Sequence, residues 1–309
     1  MEVVHKDVYV HNIPCRIYEP EDSANLKASA VNVFIGLGGR IDADLASRDP
    51  WLNNNADALA RTFAEHGFFA LEVSPPGHGK FHVPFSIDNY VSTANYLAEF
   101  VRNANDIAEF VSNAHRFEHV CGFGHSLGAI ACARSAAENI DIPYKAISLL
   151  SPPISLKEAL DRFKIPFLYS LVEGTSLEEP LCKAGLIIAD NAVYPHGFRY
   201  EPNAFAHLKL DSASGFVKEL VNAESLDDLT IPEETGVLVV YAENDGLMYG
   251  RLTKDLKENL ESRWRNIAPH SKMLTYPADH NFTSKDRPGE VMTAPEFQDV
   301  VEKSVEMFL

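Results

Sequence analysis

No stretch of this sequence approaches the ~20 consecutive apolar residues that cross a hydrocarbon layer, which excludes a membrane-spanning helix. Cationic side chains are scarce: 27 Lys and Arg stand against 44 Asp and Glu, a formal net charge of -17. Such a surface repels phosphate backbones and anionic lipids, because binding either depends largely on Lys and Arg displacing counterions. Neither nucleic acid nor a membrane is therefore an expected partner. The acidity fits simple solubility better than adaptation to salt and identifies no substrate. Cysteine is scarce too. Cys15, Cys121, Cys132 and Cys182 are scattered without a C-x-x-C pair, which argues against a zinc cage or a redox motif and for buried thiols. The first eleven residues lack the basic start and apolar run of a secretory leader, so the expected location is the cytoplasm.

The composition that remains is that of a globular protein, with 46% hydrophobic and 23% charged residues and no repetitive tract. A chain of 309 residues accommodates one large α/β domain with an insertion. Residues 8–18 read as two short strands joined near Asn12 and Pro14. Residues 30–35 form the first buried strand, which runs into Gly36-Leu37-Gly38-Gly39. Asp49-Pro50 supplies a helix start, and Leu52, Ala56, Leu59, Ala60 and Phe63 share one stripe of that helix. The alternation continues with a strand at 68–73, a helix over about 88–117, a strand at 119–124, a helix at 126–139 and a strand at 146–150. Alternating β and α segments predict a mostly parallel central sheet with helices on both faces.

The alternation breaks at Ser151-Pro152-Pro153. Residues 154–234 are helix-prone, loop-rich and aromatic, and a β-branched strand resumes at 237–241. The expectation is a core of residues 1–153 and 235–309 interrupted by a helix-rich cap insertion at 154–234. A helix over roughly 247–264, a strand at 273–276 and a helix at 293–308 complete the core. The last helix has Phe297, Val300, Val301, Val305 and Phe308 as its apolar stripe.

Gly124-His125-Ser126-Leu127-Gly128 is the sharpest local feature, because it falls between a predicted strand and a predicted helix. A serine on such a turn projects its hydroxyl away from the sheet, and the glycines permit close backbone approach. The free N–H groups of the helix start, including that of Leu127, lie where an oxyanion would develop. The bland alternative is a glycine-rich turn with a helix-capping serine. A serine hydroxyl needs a base, itself held by an acid. Asp245 closes the strand that begins at Val237, and His280 follows the strand ending near Tyr276, so both sit where strand ends gather.

Taken together, these segments resemble the α/β-hydrolase superfamily over nearly the whole chain outside the insertion. Gly36-Leu37-Gly38-Gly39 is similar to its oxyanion loop, Pro76-Gly77-His78-Gly79 to the turn after the next strand, and Ala242-Glu243-Asn244-Asp245 to its acid loop. Residue by residue, the resemblance implies Ser126 as nucleophile, Asp245 as acid, His280 as base, and the N–H groups of Leu37 and Leu127 as oxyanion donors. Ile35 and Ser74 depart from the histidine and aspartate common in the family, and Gly38 replaces Leu37 as donor under a one-residue shift. The insertion would cap the site, its aromatics lining a pocket or forming the cap's own core; Trp51 is read as an anchor for its helix.

Competing assignments of nearby residues carry less weight. Glu243 sits on the strand side of Asp245, and Asp279 adjoins His280 too closely in sequence to orient it from behind. The His78/His82 and His115/His119 pairs have metal-like spacing without an acidic partner, so no metal is expected. Asn281-Phe282-Thr283 matches a glycosylation sequon that a cytoplasmic chain would not use. The resemblance implies hydrolysis of a small or medium carboxylic ester or thioester through an acyl-enzyme, without an organic cofactor. Carbon–carbon bond hydrolysis, amide hydrolysis, cyanohydrin cleavage and a ligand-binding receptor with little turnover remain alternatives on the same scaffold. Epoxide hydrolase and haloalkane dehalogenase chemistry is disfavoured, since it needs a carboxylate at Ser126. No oligomeric state is legible.

Overall fold

The computed structural model describes residues 1–35, 56–73, 75–76, 81, 83, 86–103, 117–139, 141–158, 186–189, 192–195, 224–245, 249–280, 282, 292 and 294–309. Strands β1 (Val3–Val10) and β2 (Ile13–Pro20) form an antiparallel hairpin whose turn places His11 at φ 55°. Strand β3 (Ser29–Phe34) lies between β4 (Phe69–Val73) and β5 (His119–His125), and β2 joins the sheet by pairing antiparallel with β4. Beyond β5 follow β6 (Tyr144–Leu150), β9 (Gly236–Asp245) and β11 (Lys272–Asp279), all parallel. A two-residue strand, β10 (Gly250–Arg251), runs antiparallel along the end of β9.

Strands β3 and β4 are buried along their whole length, and β5 and β6 at every residue but His119 and Lys145, because both faces are covered. Helices α2 (Ile87–Arg102), α3 (Leu127–Glu138) and α4 (Lys254–Ile267) share one apolar cluster with Phe34, Leu149, Val239 and Tyr241. On the opposite face α1 (Ala56–Glu65) and α5 (Pro295–Phe308) pack on Val31, Val33, Phe123, Leu238 and Val240. Alternate residues of β9 thus enter different clusters, as the two-residue period of a strand requires. The sequence-based stripes match this packing: Leu59, Ala60 and Phe63 of α1, and all five named residues of α5, are buried.

Four details depart from the sequence-based expectation or lie outside it. Helix α4 begins at Lys254 rather than near residue 247, because residues 250–251 pair with β9, Leu252 N–H donates to Glu243 O at 2.8 Å, and Thr253 caps the helix. Strand β9 continues past Tyr241 to Asp245. The helix expected over 88–117 is observed to Arg102, where Asn103 caps it; residues 104–116 lie outside the described set, as does Cys182. Within 154–234, β7 (Leu186–Ala189) and β8 (Ala192–Pro195) form a separate antiparallel pair. The sequence signal for that pair is Asp190-Asn191 between two apolar, β-branched runs, which the helix-prone reading of the segment overlooked.

Residues 154 and 225–226 adjoin. Ile154 O accepts from Leu226 N at 2.8 Å and from Ser225 Oγ at 3.2 Å. Arg263 of α4 pairs with Glu158 at 2.7 Å and with Asp227, joining these two stretches of chain. Beneath them, the Tyr241 and Tyr249 hydroxyls donate to Pro152 O at 3.0 and 3.3 Å, and Trp264 Nε1 donates to the Tyr241 hydroxyl at 2.8 Å.

Cys15, Cys121 and Cys132 are buried free thiols, and burial pushes the Cys121 thiol up to about 12. Among the described residues no three His, Cys, Asp or Glu side chains cluster as metal ligands, and no helix is long and apolar enough to cross a membrane. The C-terminal helix is docked by Phe308, whose ring lies 5.6 Å from Phe63 and 6.2 Å from Phe68. Phe308→Ala is expected to cost about 3–5 kcal/mol in urea unfolding. A loss below about 1 kcal/mol would mean that α5 does not close this face of the core.

Candidate active site

Two glycines shape the junction between β5 and α3. A Cβ on Gly124 would lie 2.5 Å from Ala129 Cα, and one on Gly128 would lie 2.4 Å from the Phe34 carbonyl oxygen. Neither contact is tolerable, so the helix can fold back over the strand only where these positions carry no side chain. Between them Ser126 adopts φ 55°, ψ -120°, a conformation costing of the order of 1–3 kcal/mol for a residue with a side chain. The surroundings hold it there: Ser126 N–H donates to Leu150 O at 2.9 Å, and Ser126 O accepts from Ala129 N–H at 3.0 Å.

Ser126 occupies the N-cap position of α3, yet its side chain makes no cap hydrogen bond, unlike Ser86 of α2 and Thr253 of α4. The helix-capping alternative therefore does not describe it. Leu127 is the first residue of α3, and an N–H at that position has no intrahelical acceptor. The Gly128 contact presses this helix start against the end of β3, where Tyr90 Oη donates to Ile35 O at 2.8 Å. The next residues, including Leu37 and Gly38, lie outside the described set, as do His78, His82 and His115.

Asp245 and His280 meet through sheet register. Asn244 of β9 is paired with Asp279 of β11 after a register shift beyond Tyr276, so Asp245, the last residue of β9, and His280, just past β11, come side by side. His280 Nδ1 lies 2.8 Å from Asp245 Oδ2, and Asp245 is fully buried. A carboxylate can only accept here, which assigns the proton to Nδ1 and leaves Nε2 with its lone pair. Glu243 and Asp279 are exposed. After His280 the chain is anchored by Phe282, buried at φ 51° against Tyr276 and Phe297.

His125 links this pair to the serine. It immediately precedes Ser126, its ring lies 5.1 Å from that of His280, and its Nε2–H donates to His280 O at 3.1 Å. Burial, reinforced by the neighbouring His280, pulls the His125 imidazole down to about 3, so it stays neutral. Among the described residues its buried Nδ1 has no partner. Ser126 and His280 are not hydrogen-bonded to each other among the described residues; such contacts commonly tighten only when substrate binds. The sequence analysis named His125 only as a motif position. Its contact with His280, 155 residues away, has no local signal.

No family model matches the sequence, and no curated protein is significantly similar to it. Solved structures are similar in fold. An esterase of Pyrococcus furiosus superposes with a TM-score of 0.58 at 11% identity, covering 99% of this chain and 91% of that one. Esterase B of Lactobacillus rhamnosis gives 0.52 at 13% identity over 99% and 85%. A monoacylglycerol lipase of Paleococcus ferrophilus gives 0.52 at 15% identity over 99% and 100%.

Two outcomes follow from this geometry. Gly128→Ala is expected to destabilise the fold by about 1–3 kcal/mol in chemical denaturation, since the Phe34 backbone must move to admit the methyl group. The depressed His125 value makes stability depend on acid. The unfolded chain takes up this proton near pH 6.5, whereas the native chain resists until about pH 3. Stability from this group is complete above pH 6.5 and falls with acid by about 1.4 kcal/mol per pH unit. Denaturation of wild type and His125→Gln between pH 7 and pH 4 should show the shallower dependence in the variant; parallel curves would contradict a neutral buried His125.

Proposed function

We propose that this chain, which has the α/β-hydrolase fold, is a serine hydrolase acting on small or medium carboxylic esters or thioesters through an acyl-enzyme. The observation that carries the reading is Ser126 on a strained, uncapped strand-to-helix turn, next in sequence to a histidine that touches His280 of the Asp245–His280 pair. Strain of this kind persists only where the surrounding structure enforces it, and it often marks a functional position.

In the proposed cycle His280 Nε2 takes the proton of Ser126 Oγ as that oxygen attacks the substrate carbonyl carbon. The carbonyl π electrons move to oxygen, and the oxyanion is held by backbone N–H groups, that of Leu127 and a second from Leu37. Collapse breaks the bond to the alcohol or thiol, which leaves with the proton from His280. Water then repeats the sequence on the acyl-enzyme, releasing the acid and restoring Ser126. Asp245, buried and acceptor-only, fixes the imidazole tautomer and stabilises the transient imidazolium. Esters are favoured as the substrate class by the similar structures, which are esterases and a monoacylglycerol lipase.

Residues 154–234 would form the cap over this site, with 1–153 and 235–309 as the core. The adjoining ends at Ile154 and Leu226 support that division, since a segment joined at one place can be inserted without altering sheet order. The cap's aromatics, among them Tyr194, Tyr200 and Phe205, are its candidates for binding an acyl or alkyl group.

The test is mass spectrometry after exposure to a small fluorophosphonate, beside turnover of p-nitrophenyl butyrate. A single adduct on Ser126 is expected, lost in Ser126→Ala and His280→Ala, with turnover falling on the order of 10⁴-fold in Ser126→Ala. Unchanged hydrolysis by folded Ser126→Ala would overturn the assignment.

A further inference from the structure

His125 is a buried polar group for which the cycle above has no use. The residue is 3% exposed, one ring nitrogen has no partner among the described residues, and the other donates to a backbone carbonyl on a different strand end. A buried acceptor left unsatisfied is destabilising, and an apolar residue of similar volume would avoid the cost. What the polar ring contributes is one hydrogen bond, and that bond ends on the main chain of His280.

The position of His280 explains why such a bond matters. It lies one residue past β11, beyond the register shift that frees the strand end from regular pairing with β9. Asp245 holds the imidazole at Nδ1, and Phe282 anchors the chain downstream through Phe282 N–H to Asp279 O at 3.0 Å and Ala294 N–H to Phe282 O at 2.9 Å. Neither contact refers the base to the nucleophile. His125 does: it is peptide-bonded to Ser126, and its Nε2–H grips the carbonyl of His280. The path from nucleophile to base is thus one peptide unit, one rigid ring and one hydrogen bond.

We propose that His125 is a positioning residue for the general base, its Nε2–H donation to the His280 carbonyl setting the separation of His280 Nε2 and Ser126 Oγ. This rests on the serine-hydrolase reading of the site. The residue type fits the task. A planar ring spans the gap with only two rotatable bonds, and a neutral donor does not oppose the positive charge that forms on His280 during the cycle. Arg or Lys would put a permanent cation beside the base. The titratable groups bearing on His125 are His280 and Asp245, and burial keeps His125 itself uncharged.

The test compares wild type with His125→Gln, which keeps an uncharged donor, and with His125→Phe and His125→Leu, which lack one. The readouts are kcat and KM on p-nitrophenyl butyrate, the rate of fluorophosphonate labelling at Ser126, and the thermal midpoint. A base displaced by about 1 Å costs on the order of 10²-fold. Phe and Leu should therefore lower kcat and the labelling rate roughly 10- to 100-fold, with KM within about threefold and the midpoint unchanged or raised. Gln should recover most of the loss. Retention of kcat and labelling within about threefold in either donorless variant overturns the proposal, as does a Gln variant no better than a folded Phe or Leu variant. Should neither donorless variant fold, His125 is a folding residue and the proposal falls. Wild type that never labels at Ser126 overturns the serine-hydrolase reading instead, which separates the two failures.

Discussion

The close passage of the first turn of α3 over the ends of β3 and β5 is the constraint on which the site depends. It is a matter of backbone volume: Gly128 lies where a methyl group would enter the Phe34 carbonyl, and Gly124 where one would enter Ala129. With both side chains absent, the helix starts directly above the sheet. Ser126 must then turn through a conformation that L-residues rarely adopt, and the cost is met by packing and by its hydrogen bonds to Leu150 and Ala129. The same approach places the N–H end of α3 beside the exit of β3, so the proposed nucleophile and one proposed oxyanion donor come from one backbone arrangement.

Electrostatics act on that frame with little charge. Asp245 has no exposure, and its carboxylate accepts a short hydrogen bond from His280. His125 contributes a donor without a charge because burial keeps it neutral. The polarity of the site is set by buried, directional contacts. The aromatic and hydroxyl network of Tyr241, Tyr249 and Trp264 serves another purpose, fixing Pro152 just beyond the end of β6.

Much of the architecture was legible in the sequence because its signals are local. Apolar runs bounded by Gly, Pro and polar residues marked the strands at 30–35, 68–73, 119–124 and 146–150 to within two residues of the observed bounds. Helical stripes identified the buried sides of α1 and α5 for the same reason. The errors arose where a local pattern competed with pairing. Residues 247–253 read as helix, but β10 and the Thr253 cap took the chain back along β9 first. The β7–β8 pair was missed because the composition of the surrounding segment outweighed a short turn signal.

By itself the sequence determined the order of the longer core strands and helices and the turn around Ser126, since each follows from residue type and spacing along a few neighbours. Which carboxylate meets His280 was decided in three dimensions. Glu243, Asp245 and Asp279 are all near the right strand ends, and only the Asn244–Asp279 register places Asp245 against the ring. The contact of His125 with the His280 carbonyl belongs to the same class, because it joins residues 155 apart through strand order in the sheet. Periodicity and motif spacing carry information over a turn or a strand; contacts between strand ends depend on register, which packing of the whole sheet sets.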